Sequence, residues 1–132
     1  MKYRLALFDM DSTLIHEEII DELAASAGKK AEVSRITERA MRGELDFKSA
    51  LRERVALLEG LQESSLATVS SKVTFSEGAE ATIEKMKSLG MKVGVVSGGF
   101  HEVIDPVLSE LELDLVSANS LEVREGVLTG NV

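Results

Sequence analysis

Asp9 and Asp11 stand one residue apart at the end of an apolar run, Leu5-Ala6-Leu7-Phe8, and Ser12 and Thr13 follow directly. Two carboxylates so close repel, which either raises one pKa or requires a cation. A hard ion such as Mg2+, which takes oxygen ligands, would relieve that repulsion. One carboxylate could then attack a phosphorus while its neighbour protonates the leaving oxygen and later activates water. The same residues also suit a plain acidic turn, because Asp and Ser favour turns. A second candidate group is Ser97-Gly98-Gly99, which follows the apolar run Met91–Val96 and precedes a helical stretch. Glycines let the backbone approach a ligand, successive N–H groups can cradle an anion, and a helix N-terminus is electropositive. Many tight turns share that composition. An acidic nucleophile next to an anion cradle points to phosphoryl transfer.

The elements around these groups follow from periodicity. Tyr3 to Phe8 is almost continuously apolar, which predicts a parallel strand buried on both faces. Ile19, Ile20, Leu23, Ala24 and Ala27 recur at helical spacing, and Gly28 supplies a stop. Further helices are predicted over Glu32–Arg42, from Phe47 to Gly60 with Leu51, Val55 and Leu58 inward, and, more weakly, over Leu61–Ser71. After an extended Val73-Thr74-Phe75 come a helix over Glu77–Leu89 and a strand over Met91–Val96. Phe100–Leu111 reads as helical, with Pro106 breaking it and restarting it behind an Asp105 cap. Leu113–Ala118 reads as a strand, and Glu125-Gly126 as the turn of a short hairpin. Ligands in open parallel sheets bind beyond the carboxyl ends of the strands, where both Asp9 and Ser97 fall. The order predicts an α/β core, residues 1–14 and 75–132, interrupted by a helical insert at 15–74.

The chain has 132 residues, 44% of them hydrophobic, with 15 basic and 23 acidic side chains and a net charge of −8. That balance repels phosphate backbones and anionic membranes, so neither nucleic acid nor membrane is an expected partner. The absence of cysteine excludes disulfides, thiolate metal sites and thiol catalysis. No apolar run reaches signal-peptide or membrane-spanning length, and the expected location is cytoplasmic.

Asp9-Met10-Asp11-Ser12-Thr13-Leu14 resembles the first motif, DxDxT, of the haloacid dehalogenase superfamily of phosphohydrolases, and Val95-Val96-Ser97-Gly98-Gly99 resembles its second. Within that superfamily the chain resembles the phosphoserine phosphatase family over its whole length, through DSTLI, RAMRGELDF, LRERVALL, VTFSEGAEATI, VVSGGF and ANSLEV. The resemblance implies a Rossmann-like parallel sheet of about three strands, incomplete, with an inserted four-helix cap. It implies Asp9 as nucleophile and Mg2+ ligand, and Asp11 as general acid/base whose backbone carbonyl also reaches the metal. Ser97 and Gly98 would hold the phosphoryl group. In the insert, Glu18 would take the amino group of a phosphorylated amino acid and Arg54 its carboxylate, with Met41 and Phe47 lining the pocket. On burial rules alone, Glu18 and Arg54 would be solvated surface charges, and Met41 and Phe47 would serve a core equally well.

The family's later motifs, a lysine and an acidic pair that completes the metal site, have no counterpart before Val132. The sequence therefore reads as an N-terminal portion whose activity alone should be impaired. In the family's strand order the first strand is then left with a bare edge, which should pair with a second copy or a complementing fragment. Two other readings stay open: a non-catalytic protein that binds a phospho-amino acid or a partner chain, and phosphotransfer to another acceptor such as homoserine.

Overall fold

The apolar run at the start of the chain forms strand β1, Leu5–Phe8, in the computed structural model, which describes residues 2–132. It pairs in parallel with β2, Lys92–Phe100, and β2 pairs in parallel with β3, Leu115–Asn119, in the order β1-β2-β3. Ala6 lies opposite Val93 and Phe8 opposite Val95, and both valines are fully buried. Helices α5, Ala79–Ser88, and α6, His101–Leu108, pack on the sheet and bury Ile83, Val103 and Ile104. (Helices α1, Ile19–Ser26; α2, Lys30–Met41; α3, Phe47–Ala56; and α4, Ser64–Lys72, precede them in the chain.)

The alternate residues make the other face. Leu5 is 55% and Leu7 51% exposed, and Val96 and Leu115 are exposed as well. The apolar run predicts burial on both sides; only one face of the strand is covered. Such a run specifies that a strand can be buried, and the covering layers decide whether it is. Gly94 sits between Leu7 and Leu115 in the register, and its missing side chain lets those two approach.

Two further expectations are corrected. β2 continues through Ser97-Gly98-Gly99 to Phe100, where the glycines predict a turn. Burial of Phe100 and its pairing with Asn119 hold the strand beyond the glycines. Helix α6 runs unbroken through Pro106. An interior proline costs about 3 kcal/mol. Burial of Val103, Ile104 and Leu108 at roughly 1.5–3 kcal/mol each outweighs that.

The contacts divide the chain into two compact units, Met1–Glu18 with Ser70–Asn119, and Ile19–Val69 with Ser120–Val132. The second unit is helical: α1, Ile19–Ser26; α2, Lys30–Met41; α3, Phe47–Ala56; and α4, Ser64–Lys72, whose last turn crosses into the first unit. Ile19, Leu23, Val33, Val55 and Leu58 form its core. Asp46 caps α3 by accepting from Ser49 N–H at 2.7 Å.

The predicted hairpin is present as β4, Val123–Arg124, and β5, Val127–Leu128. Its turn residues, Glu125 and Gly126, both have positive φ, 51° and 79°, which matches the twist of paired strands. It belongs to the helical unit, whereas the sequence boundaries put it in the core. Gly60 N–H donates to Leu128 O, Leu128 N–H to Leu61 O and Glu63 N–H to Gly126 O, so the hairpin is stitched to the chain after α3. Among the described residues no helix is long and apolar enough to cross a membrane.

Candidate active site

The chain leaves β1 at Phe8, level with Val95 of β2, so Asp9 emerges at the sheet edge where Ser97 follows on the neighbouring strand. Sheet pairing thus brings the two chemical groups to one edge. Asp9 is exposed, and one of its oxygens accepts from Met10 N–H at 2.8 Å, which orients the carboxylate. Met10 is completely buried and anchors the turn from below. Asp11 is extended, φ −63° and ψ 133°, and half-buried. Ile15 N–H closes the turn onto Met10 O at 3.2 Å. Ser76 secures its far side, through N–H to Leu14 O and hydroxyl to Thr13 O, each at 2.7 Å.

Ser12 adopts a left-handed conformation, φ 56°, unusual for a residue with a side chain. Its N–H donates to Glu17 O at 3.3 Å, and its hydroxyl donates to Glu18 Oε1 at 2.7 Å. Glu18 therefore belongs to the α/β unit and is tied to the aspartate loop, although the sequence boundaries place it in the helical insert. Behind it, Thr74 gives its N–H and hydroxyl to the two oxygens of Glu17 at 2.9 and 2.8 Å. The single hydroxyl hydrogen of Thr74 is thus committed, so His16 Nδ1, 2.9 Å from that oxygen, carries the proton between them. Burial pushes the Glu17 carboxyl up; the Thr74 hydrogen bonds outweigh it and hold the group below its ordinary value.

On β2 the pairing with β3 slips at the glycines: Val96 faces Ser117 and Phe100 faces Asn119, so β2 carries two extra residues there. Ser97 Oγ accepts from Gly99 N–H at 2.8 Å, and Asn119 Nδ2 donates to Gly98 O at 3.1 Å. Gly98 is exposed and Ser97 half-buried, which leaves both accessible to a ligand.

The remaining predicted site residues lie in the helical unit. Met41 ends α2 and is 83% exposed; Phe47 begins α3 and is 62% exposed. Neither belongs to a core, which removes the alternative reading of both. Arg54 lies seven residues after Phe47, on the same face of α3. Its guanidinium donates to Thr37 Oγ1 and Ala50 O, both at 3.3 Å. These oxygens are uncharged, so the cation keeps its charge for an anion. Reading the sequence assigns no role to Ser12 or Asn119. Their signal is only contact, since neither motif spacing nor hydropathy marks them.

Asp9 and the Asp11 carbonyl are hard oxygen donors of the type Mg2+ takes, and their placement on one short turn fits a shared ion. Among the described residues no cluster of three or more His, Cys, Asp or Glu is arranged as a metal site.

Paired aspartates just beyond the first strand of a parallel sheet and a serine-glycine bulge within the second form an arrangement suited to an α/β phosphoryl-transfer site. The chain belongs to the haloacid dehalogenase-like hydrolase family, which it matches over residues 6–132. It is 52% identical over 128 residues to a phosphoserine phosphatase of Streptococcus thermophilus, and 52% identical over 129 residues to one of Archaeoglobus fulgidus. These matches take in 97% and 98% of the chain, but 60% and 38% of the two relatives. A substrate-bound phosphoserine phosphatase superposes with a TM-score of 0.91 at 44% identity, over 99% of this chain and 62% of that one. A phospho-aspartyl intermediate analogue of phosphoserine phosphatase gives 0.90 at 45% identity, over 99% and 63%.

Proposed function

We propose that this chain carries the nucleophile half of an Mg2+-dependent phosphomonoesterase that hydrolyses O-phosphoserine to serine and phosphate. The observation that supports the reading is the pairing of Phe8 with Val95, after which Asp9 and Ser97 follow toward the same edge of the sheet. A carboxylate oxygen of Asp9 attacks phosphorus, and the bond from phosphorus to the serine oxygen breaks. Asp11, protonated, gives its hydrogen to that leaving oxygen. As a carboxylate it then takes a proton from water, which attacks the phosphoaspartate, frees phosphate and restores Asp9. Ser97 and the Gly98 N–H hold the phosphoryl oxygens. Asp9 and the Asp11 carbonyl would hold Mg2+, which when bound would neutralise phosphoryl charge. Glu18 takes the substrate ammonium and Arg54 its carboxylate, for which a planar guanidinium is suited. Met41 and Phe47 supply apolar lining, a role consistent with their exposure.

Incubation with O-phosphoserine and Mg2+ tests this reading. Wild type, although impaired as an isolated portion, should form an acid-stable, hydroxylamine-labile phosphoprotein at a reduced rate, and Asp9→Asn should form none. Binding of phosphoserine without any phosphoprotein would favour a non-catalytic receptor, and labelled phosphate recovered on homoserine would favour transfer over hydrolysis.

The bare apolar face of the sheet supports a second element of the proposal. β1 is an edge strand that pairs only with β2 among the described residues, and Leu5, Leu7, Val96 and Leu115 share an uncovered side. A second copy of this chain, or a complementing polypeptide, covers that surface.

A further inference from the structure

The two extra residues of β2 are pinned at both ends of one peptide unit. The carbonyl of Gly98 receives the side-chain amide of Asn119 at 3.1 Å, and the N–H of the same unit, on Gly99, donates to Ser97 Oγ at 2.8 Å. Asn119 ends β3, opposite Phe100, whose side chain is buried; both the backbone and the neighbouring core therefore fix the base of the asparagine. A hydroxyl carries one hydrogen and two lone pairs. Because Ser97 Oγ accepts from Gly99, its own hydrogen is left to donate to an anion. Were the Gly98–Gly99 plane to turn over, the Gly98 oxygen would swing to the Ser97 side and oppose that anion, and Ser97 would lose the bond that orients it. Nothing in the strand ladder prevents this turn, since the register is already broken between Val96 and Phe100.

We propose that Asn119 is a positioning residue of the phosphoryl cradle: by holding Gly98 O it fixes the peptide plane that presets Ser97 as a donor. The proposal rests on the reading of Ser97 and Gly98 as phosphoryl ligands. Asn119 touches no substrate in this role and acts wholly through the loop.

The test titrates inorganic phosphate, with Mg2+ present, into the isotope-labelled 132-residue chain and into Asn119→Ala and Asn119→Asp. In wild type, phosphate shifts the Ser97 and Gly98 amide resonances. Asn119→Ala weakens phosphate binding about tenfold, the size of one net hydrogen bond, and speeds Gly99 amide exchange by a similar factor. Val93 and Val95 exchange as in wild type. Asn119→Asp binds more weakly still while ionised, and recovers as acid protonates the new carboxyl and restores a donor to Gly98 O; Asn119→Ala does not recover. Unchanged phosphate affinity and unchanged Gly99 exchange in Asn119→Ala overturn the proposal. So does exchange that rises equally at Gly99, Val93 and Val95, which would mark a general loss of stability. If wild-type Ser97 and Gly98 ignore phosphate altogether, the phosphatase reading falls instead, and Gly99 exchange separately decides whether Asn119 fixes the loop.

Discussion

Ser12 and Glu18 are joined by a 2.7 Å hydrogen bond from hydroxyl to carboxylate, across a turn in which Ser12 is left-handed. The conformation and the bond have one consequence together. The chain folds back after the left-handed residue, so that the Glu18 carboxylate reaches the hydroxyl of Ser12, the residue next to Asp11. The acidic group proposed for the substrate ammonium is thus set by the same turn that sets the nucleophile.

We expect Ser12→Ala to weaken O-phosphoserine binding severalfold. A hydrogen bond to a charged group contributes about 1.5–3 kcal/mol when sheltered, and the exposure of Glu18 reduces that. Stability should change by no more than about 0.5 kcal/mol, as for other surface substitutions. Ser12→Gly is the control, because it relieves the left-handed backbone and still removes the hydroxyl. Calorimetric titration should find both variants weakened alike. Wild-type affinity in both would remove Ser12 from substrate recognition.

The site is legible in the sequence where local chemistry and strand periodicity agree. The run Leu5–Phe8 ending at Asp9 identifies one strand end, the run up to Val96 identifies the neighbouring strand that carries Ser97, and parallel pairing puts the two side by side. What escapes sequence reading depends on partners distant in the chain. Leu5 and Leu7 look like doubly buried residues, but only contact with a covering layer distinguishes a buried face from a bare one. The glycines after Val96 look like a turn, yet the pairing of Phe100 with Asn119 keeps them in the strand. The hairpin is legible from Glu125-Gly126, while its attachment at Gly60 and Leu61 is not, because backbone hydrogen bonds leave no residue signature. Pro106 misleads in the opposite sense: its local cost is real, and the burial of α6 exceeds it.

Acid should destabilise the fold through identifiable carboxylates. The Ser49 N–H holds Asp46 below its ordinary value, and the Val93 N–H, bonded at 2.9 Å, does the same for Asp114. Glu17 is lowered as well, against its burial, by Thr74. A depressed folded pKa stabilises the protein above the unfolded value, about 4 for these groups, and that stabilisation disappears as pH falls through the folded values. Denaturant midpoints should therefore be flat through neutral pH and fall below about pH 4. Asp114→Asn should shrink the acid-dependent part of that fall; an unchanged slope would show that Asp114 keeps its ordinary value.

Gly94→Ala should destabilise the sheet. An added Cβ would lie 3.0 Å from Leu115 Cβ, 3.0 Å from Leu7 Cδ2 and 3.1 Å from Leu115 O. Leu7 is half-exposed and can rotate away, but Leu115 Cβ and its carbonyl are fixed by the β2–β3 ladder. Alanine recovers roughly 0.5–1 kcal/mol of backbone entropy, whereas overpacking costs about 1–3 kcal/mol. The net is a loss of up to about 2.5 kcal/mol in chemical denaturation. A stabilised Gly94→Ala variant would mean that β3 moves freely against β2.

The uncovered sheet face makes the last expectation. Leu5 lies directly opposite Lys92, and Leu115 stands on the far strand of the same face. Parallel sheets are ordinarily covered on both sides, so a row of exposed leucines on one is a surface that water disfavours. We expect the purified chain to self-associate, with sedimentation rising with concentration. Leu5→Glu combined with Leu115→Lys should return it to the monomer. Both side chains are about half exposed, so each change should alter monomer stability by no more than about 0.5 kcal/mol. The carboxylate introduced by Leu5→Glu would gain Lys92 as a cross-strand partner. Equal association of the variant and wild type would put the contact on another surface. A well-folded wild-type chain that stays monomeric at every concentration would count against any partner for that face.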